Sequence, residues 1–222
     1  MAQGFGQTEA IAICTFMSPR DHFVGGDTAG VIENDARLAS CGRASPLTRV
    51  AIMDPEGNLL DDFERGEIVV RSSLVMKGYD RDPEATAASQ AHGWHHTGDI
   101  GYRDSEGYFY IVDRLRDMII SGGLNIYPNE IEQVLWSHPA VKDCAVVGLA
   151  DEKWGERVTA VVELKEGMAT DGEELAQFCR RRLESLKTPK EFHIWAELPR
   201  SPIGKVLKRG VRDRLNAEMH QA

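Results

Sequence analysis

The chain has 222 residues, 42% hydrophobic and 27% charged, the make-up of an ordinary globular protein with one large domain or two small ones. With 26 Lys and Arg against 35 Asp and Glu, its net charge of −9 argues against nucleic acid as the main partner, since a phosphate backbone calls for a basic face. A small anionic ligand remains open, because a few placed Lys, Arg and backbone N–H groups can hold one locally.

No apolar run is long enough to span a bilayer. Cys14, Cys41, Cys144 and Cys179 are far apart and form no CxxC pair, which points to free thiols in a reducing, cytoplasmic setting. His92, His95 and His96 have no cysteine at ligand spacing, so a zinc site is not expected.

Residues 1–40 are poorly patterned. Residues 10–16 are apolar enough for a strand or a short buried segment, and Gly25-Gly26-Asp27 and Gly30 mark loops. Val50 and Ile52, the turn Asp54-Pro55-Glu56-Gly57 and then Asn58-Leu59-Leu60 spell a hairpin. Residues 66–71 read as a further strand, and residues 102–112 as a second hairpin about Asp104-Ser105-Glu106-Gly107. Short strands joined by glycine-containing turns predict a small twisted sheet or distorted barrel.

The chain then changes character across residues 111–132. A charged cluster at 113–117, the glycine pair Gly122-Gly123 and a helix starting after Pro128 mark a domain boundary or an ordinary exposed linker. Beyond it the pattern predicts a helix over 129–137 and strands over 143–149 and 157–164. A helix follows over 173–186 with Leu175, Phe178, Leu183 and Leu186 on one side. A strand over 191–195 and a helix over 205–219, striped by Leu207, Val211 and Leu215, complete an α+β domain.

Three segments carry residues suited to chemistry. Gly4-Phe5-Gly6-Gln7-Thr8-Glu9 combines a flat stacking face with a hydroxyl and a hard oxygen ligand for Mg²⁺, and reads equally as a plain turn. In residues 93–99, Asp99 stands just past Gly98, where it could accept from the two hydroxyls of a ribose or close a local turn. In residues 199–205, a loop stiffened by proline and glycine puts Lys205 at a helix start, the wrong end of the dipole for a cation. Such a lysine could stabilise developing negative charge or be an ordinary solvated cation. GxSxG, HExxH and GxGxxG are absent, as is a Gly/Ser/Thr-rich loop ending in lysine that could cradle ATP phosphates.

In order and spacing, GFGQTE, GRAS, GEIVVRS, MKGY, GWHHTGD, GYFYIVDRLRDMIISGGLNIYPNEIE, VVGLADEKWGE and LPRSPIGKVLKR closely resemble the adenylate-forming ligases. That family includes the acyl-CoA synthetases, the luciferases and the adenylation domains of peptide synthetases. The run DMIISGGLNIYPNEIE is most similar to the CoA ligases for fatty and aromatic acids. The resemblance implies a carboxylic acid, ATP and CoA as substrates, AMP as product, Mg²⁺ as cofactor and a homodimer as the intact enzyme. It implies an α+β fold in which residues 1–113 are the tail of the large AMP-binding domain with a short-strand distorted β-barrel subdomain. Residues 114–222 are then the small mobile C-terminal domain.

The resemblance also carries site roles. Thr8 contacts phosphate, Glu9 holds Mg²⁺ and Phe5 stacks on adenine, while Asp99 and Arg114 take the ribose hydroxyls with Ile111 beside the nucleotide. Lys205 matches the catalytic lysine that bridges ATP and carboxylate in the first step, and Arg116 stands at the hinge, where the family more often has Asp or Lys. Gly122 and Gly123 flank the thiol tunnel, and Lys187 lies where related ligases touch the CoA nucleotide. The family's phosphate loop and most of its acyl pocket precede the GFGQTE segment, so the sequence reads as a piece of a longer ligase or a truncated gene product. Rival expectations are transfer to a carrier-protein thiol and a non-catalytic remnant that acts by binding a partner.

Overall fold

In the computed structural model, residues 2–10, 12–22 and 35–219 are described, and the chain divides into two units, Met1–Leu115 and Arg116–Ala222. The loops expected at Gly25–Asp27 and Gly30 lie outside the described residues.

In the first unit, β1 (Gln3–Gln7), β2 (Ala12–Met17), β3 (Gly42–Ala44), β4 (Arg49–Met53), β5 (Gly66–Arg71), β6 (His95–Arg103) and β7 (Tyr108–Arg114) form one antiparallel sheet. Its order is β1-β2-β3-β7-β6-β5-β4. The two expected hairpins form because an aspartate organises each turn. Asp54 accepts from the amide of Asn58 at 2.8 Å, and Asp104 accepts from those of Glu106 and Tyr108 at 2.9 Å. Cys14 of β2, Val50 and Ile52 of β4, Ile68 and Val70 of β5 and Phe109 of β7 share one core, so the sheet curls over it.

The sheet does not close into the distorted barrel expected from the short strands. Among the described residues its edges β1 and β4 pair only with β2 and β5 and not with each other, so the ring stays open. The Gly4-Phe5-Gly6 stretch is a strand with a bulge after Phe5, not a turn. Glycine is needed there because a Cβ on Gly4 would stand 2.6 Å from the carbonyl oxygen of Thr15 on the neighbouring strand.

In the second unit, a hairpin of β8 (Ile119–Ser121) and β9 (Leu124–Ile126) turns at Gly122-Gly123. It leads into α3 (Pro128–Trp136), which follows α1 (Asp35–Leu38) and α2 (Pro83–Ser89) of the first unit. The long antiparallel pair β10 (Val141–Asp151) and β11 (Gly155–Leu164) is the centre. β12 (Glu191–Trp195) joins β11 in parallel after the crossover helix α4 (Gly172–Arg180). Alternate residues of β10 and β11 serve two cores. Cys144, Val146, Val158, Ala160 and Val162 meet Ile131 and Leu135 of α3 and Leu175 and Cys179 of α4. Ala145, Val147, Leu149 and Val161 meet Val211 and Leu215 of α5 (Lys208–Met219). Helices on both faces explain why these strands read as nearly continuous apolar runs.

Two helix boundaries differ from the sequence pattern. α4 stops at Arg180 rather than running to 186, where the last turn tightens as the amide of Arg182 bonds the carbonyl of Cys179 three residues back. Leu183 still packs on the core, whereas Leu186 is exposed. α5 begins at Lys208 rather than 205, since Leu207 gives its amide to Pro199 and Arg200 bridges Val206. Leu207 is 45% exposed and takes no part in the helix stripe.

The Gly122-Gly123 turn has φ of +59° and +79°, the left-handed pair of a two-residue hairpin. A Cβ on Gly122 would meet the Trp154 ring at 3.2 Å, whereas one on Gly123 meets nothing within 4 Å. Urea unfolding is therefore expected to show about 1 kcal/mol lost in Gly123→Ala and about 2 kcal/mol in Gly122→Ala. Equal losses would show that Trp154 yields freely.

Candidate functional site

Of the residues singled out for nucleotide binding, the first unit pairs two, Asp99 and Arg114. Asp99 and Arg114 are register partners on β6 and β7, and Arg114 Nε stands 2.8 Å from Asp99 Oδ1. The carboxylate is 3% exposed and the guanidinium 52%, so the pair presents its cation outward. On the other side, Gln7 Nε2 donates to Asp99 Oδ2 at 3.0 Å and to the Thr97 carbonyl at 2.7 Å. His95 Nε2 meets Gln7 Oε1 at 3.2 Å. His95, Thr97 and Asp99 alternate along β6 and are all buried, as a period of two requires of one face. Burial pushes the His95 imidazole below its ordinary value and so favours the neutral ring.

Glu9 lies in the 3₁₀ turn Thr8–Ala10 after β1, half-buried, and accepts from the Tyr79 hydroxyl at 3.1 Å. Thr8 beside it is exposed. No cluster of three His, Cys, Asp or Glu able to hold a metal occurs among the described residues. A lone carboxylate still fits Mg²⁺, which commonly takes one or two protein oxygens and completes its shell with phosphate oxygens and water. Phe5 is half-buried and packs against the core of its own unit, and Ile111 is 40% exposed on β7.

The second unit holds Lys205 on the loop between β12 and α5. Arg200 Nη1 reaches Asp143 Oδ2 at 2.8 Å and the Gly204 carbonyl at 3.2 Å, and its Nη2 reaches Glu163 Oε2 at 3.0 Å. Lys208 Nζ pairs with buried Glu132 at 3.0 Å. Between these two tethered cations, the Lys205 ammonium is exposed and makes no ion pair or hydrogen bond among the described residues. The backbone around it is pinned, with Ser201 N donating to the Lys205 carbonyl and Gly204 N to that of Ser201, both at 2.8 Å. Lys205 precedes α5 by three residues, which removes the helix-dipole conflict read from the sequence.

The remaining predicted positions do not join either cluster. Arg116 is exposed in the 3₁₀ turn Leu115–Asp117 at the seam between the units. Lys187 is engaged by Glu130 at 2.9 Å, an ion pair within its own unit. All four cysteines are free, and burial pushes each thiol upward, Cys179 to about 11. None has the lowered value of a cysteine nucleophile.

Against known families, residues 1–80 match the AMP-binding enzyme model and residues 130–205 match the model of the AMP-binding enzyme C-terminal domain, together more than half of the chain. The chain belongs to the AMP-binding, adenylate-forming enzyme family. Among curated relatives of this AMP-binding chain, a feruloyl-CoA synthase from an Amycolatopsis species is 44% identical over 96% of the chain and 41% of its own length. A long-chain-fatty-acid–CoA ligase from Bacillus subtilis is 43% identical over 94% of the chain and 35% of its own length. The chain thus spans about two fifths of the curated relatives it matches. The solved structure of o-succinylbenzoate CoA synthetase from Bacillus subtilis, in complex with the acyl-adenylate intermediate OSB-AMP, superposes with a TM-score of 0.80. It is 36% identical over 96% of this chain and 41% of that one.

Several partners in this AMP-binding chain escaped sequence reading. Gln7 and His95 both stand inside motifs already singled out, GFGQTE and GWHHTGD, without a role read from either. Tyr79 closes the MKGY motif without a role read from it, and Asp143 and Glu163 carried no signal, because all three meet Glu9 or Arg200 only through long-range contacts.

Proposed function

We propose that this chain supplies the ribose-binding strands and the lysine-bearing domain of an ATP-dependent acyl-CoA ligase for a fatty or aromatic acid. In the first step a carboxylate oxygen bonds to the α-phosphorus of ATP as the bond to pyrophosphate breaks, leaving an acyl-adenylate. In the second, the CoA sulfur bonds to the acyl carbon, the bond to AMP breaks and the thiol proton passes to solvent.

The observation that carries this reading is the free ammonium of Lys205 on a loop between two anchored cations, Arg200 of the loop and Lys208 at the start of α5. A point charge on a pinned backbone suits the charge that builds on carboxylate and phosphate in the first step. Asp99, with Arg114 and Ile111, would hold the nucleotide, Phe5 would take the adenine, and Thr8 would meet phosphate. Mg²⁺, when bound, would neutralise phosphate charge, with Glu9 as its protein ligand. Movement of the second unit about Arg116 would withdraw Lys205 and present the Gly122-Gly123 turn to the thiol, with Lys187 near the CoA nucleotide. The relatives named for fatty-acid and feruloyl substrates support the choice of acid class. Four unbridged thiols suit the reducing cytoplasm.

The test is AMP release by the full-length protein with fatty and aromatic acids. Release that depends on free CoA is expected. Release that depends on a carrier protein and ignores CoA would move the chain to the peptide-synthetase branch of the family.

A further inference from the structure

The contacts of Gln7 and His95 deepen the nucleotide-binding reading, on which this inference rests. We infer that Gln7, held in one orientation by His95, is a positioning residue that sets Asp99 for recognition of the ribose hydroxyls. β1 and β6 are not neighbours in the sheet, yet Gln7 reaches across the curl to β6, 90 and 92 residues away in sequence. Its two Nε2 hydrogens go to the Thr97 carbonyl and to Asp99 Oδ2, both of which can only accept. The amide therefore has a defined face, with Oε1 turned to His95. That arrangement requires the Nε2–H tautomer of His95, so each member of the chain from His95 through Gln7 to Asp99 donates in one direction.

Asp99 is consequently gripped at both oxygens, Oδ1 by Arg114 and Oδ2 by Gln7. The two grips differ in kind. Arg114 is half exposed on a strand end, whereas Gln7 and His95 act from the buried side. A carboxylate restrained from below by the Gln7 amide keeps one orientation when a ligand competes for the arginine. A restrained acceptor discriminates between ligands that carry a hydroxyl and those that lack it, because losing one partner of a charged hydrogen bond leaves the other unpaired.

The experiment compares Gln7→Leu, His95→Phe and Asp99→Asn in the full-length protein, using carboxylate-dependent pyrophosphate exchange with ATP, 2′-deoxy-ATP and 3′-deoxy-ATP. Each variant is expected to reduce the preference for ATP over at least one deoxy analogue by about tenfold, the scale of one charged hydrogen bond, and to leave the KM for the acid unchanged. If Asp99→Asn erases the preference while Gln7→Leu and His95→Phe keep it, the positioning role is overturned and the nucleotide reading stands. If Asp99→Asn also keeps it, the nucleotide reading fails and the inference with it. A Gln7→Leu protein that loses ATP, both analogues and the acid to the same degree would mark a purely structural role. Should that variant fail to fold, His95→Phe decides on the same terms, since it releases the amide while retaining a buried ring.

Discussion

Lys205→Ala in the full-length protein is expected to lower carboxylate-dependent ATP–pyrophosphate exchange by about 10²–10³, the cost of removing one preorganised charge from a developing oxyanion. Thioester formation from pre-made acyl-adenylate and CoA should change by less than about threefold, since the lysine has no task once pyrophosphate has left. The split rests on the proposed role of the lysine in the first step, and the geometry bears on the fold. Arg200 and Lys208 are held by Asp143, Glu163 and Glu132, and Lys205 between them is exposed and holds no internal partner among the described residues. Removing its ammonium therefore breaks no ion pair of the fold, and the melting temperature should stay where it is. Equal loss of both half-reactions would remove the step-specific role.

Glu163→Gln is expected to destabilise the second unit by about 3 kcal/mol, the scale of breaking a buried ion pair on one side. Glu163 is 4% exposed on β11 and is contacted by Lys142, by Arg200 at 3.0 Å and by the amide of Leu198 at 3.2 Å. Burial alone would raise its carboxyl, but Lys142, the Leu198 amide and Arg200 outweigh burial and hold it at about 2, below the ordinary 4.5. A depressed folded-state value means that the stabilisation is complete above about pH 4.5 and is lost as pH falls through about 2. Urea unfolding of parent and variant at pH 7, 5 and 3 should then show a gap that is full at 7 and 5 and narrower at 3. A gap that stays constant down to pH 3 would show that the charge on Glu163 is not what the variant removes. Because Arg200 also holds the Gly204 carbonyl, the same network sets the backbone that presents Lys205.

Much of the fold was legible from local chemistry. The turns at 54–57 and 104–107 were readable because aspartate and glycine act within four residues. The Gly122-Gly123 turn and the Pro128 helix start were readable for the same reason, and the strands that became β10 and β11 from their apolar runs. The set of ordered motifs was enough to indicate the family, since residue type and spacing need no coordinates. Helix ends were less legible. Periodicity continues through Leu183 and Leu186, but the return of the chain to β12 ends α4 at Arg180.

What the amino-acid order determined by itself was whatever depends on neighbours a few residues apart: turns, strand alternation, apolar stripes and the candidate residues. The tertiary structure alone decided the partners. An open curl rather than a closed ring, Gln7 beneath Asp99, Tyr79 on Glu9, and Arg200 between Asp143 and Glu163 join residues from 37 to 92 positions apart. Which of several acids a given arginine or amide meets at such separations depends on how the sheets curl and pack, and no local period carries that information.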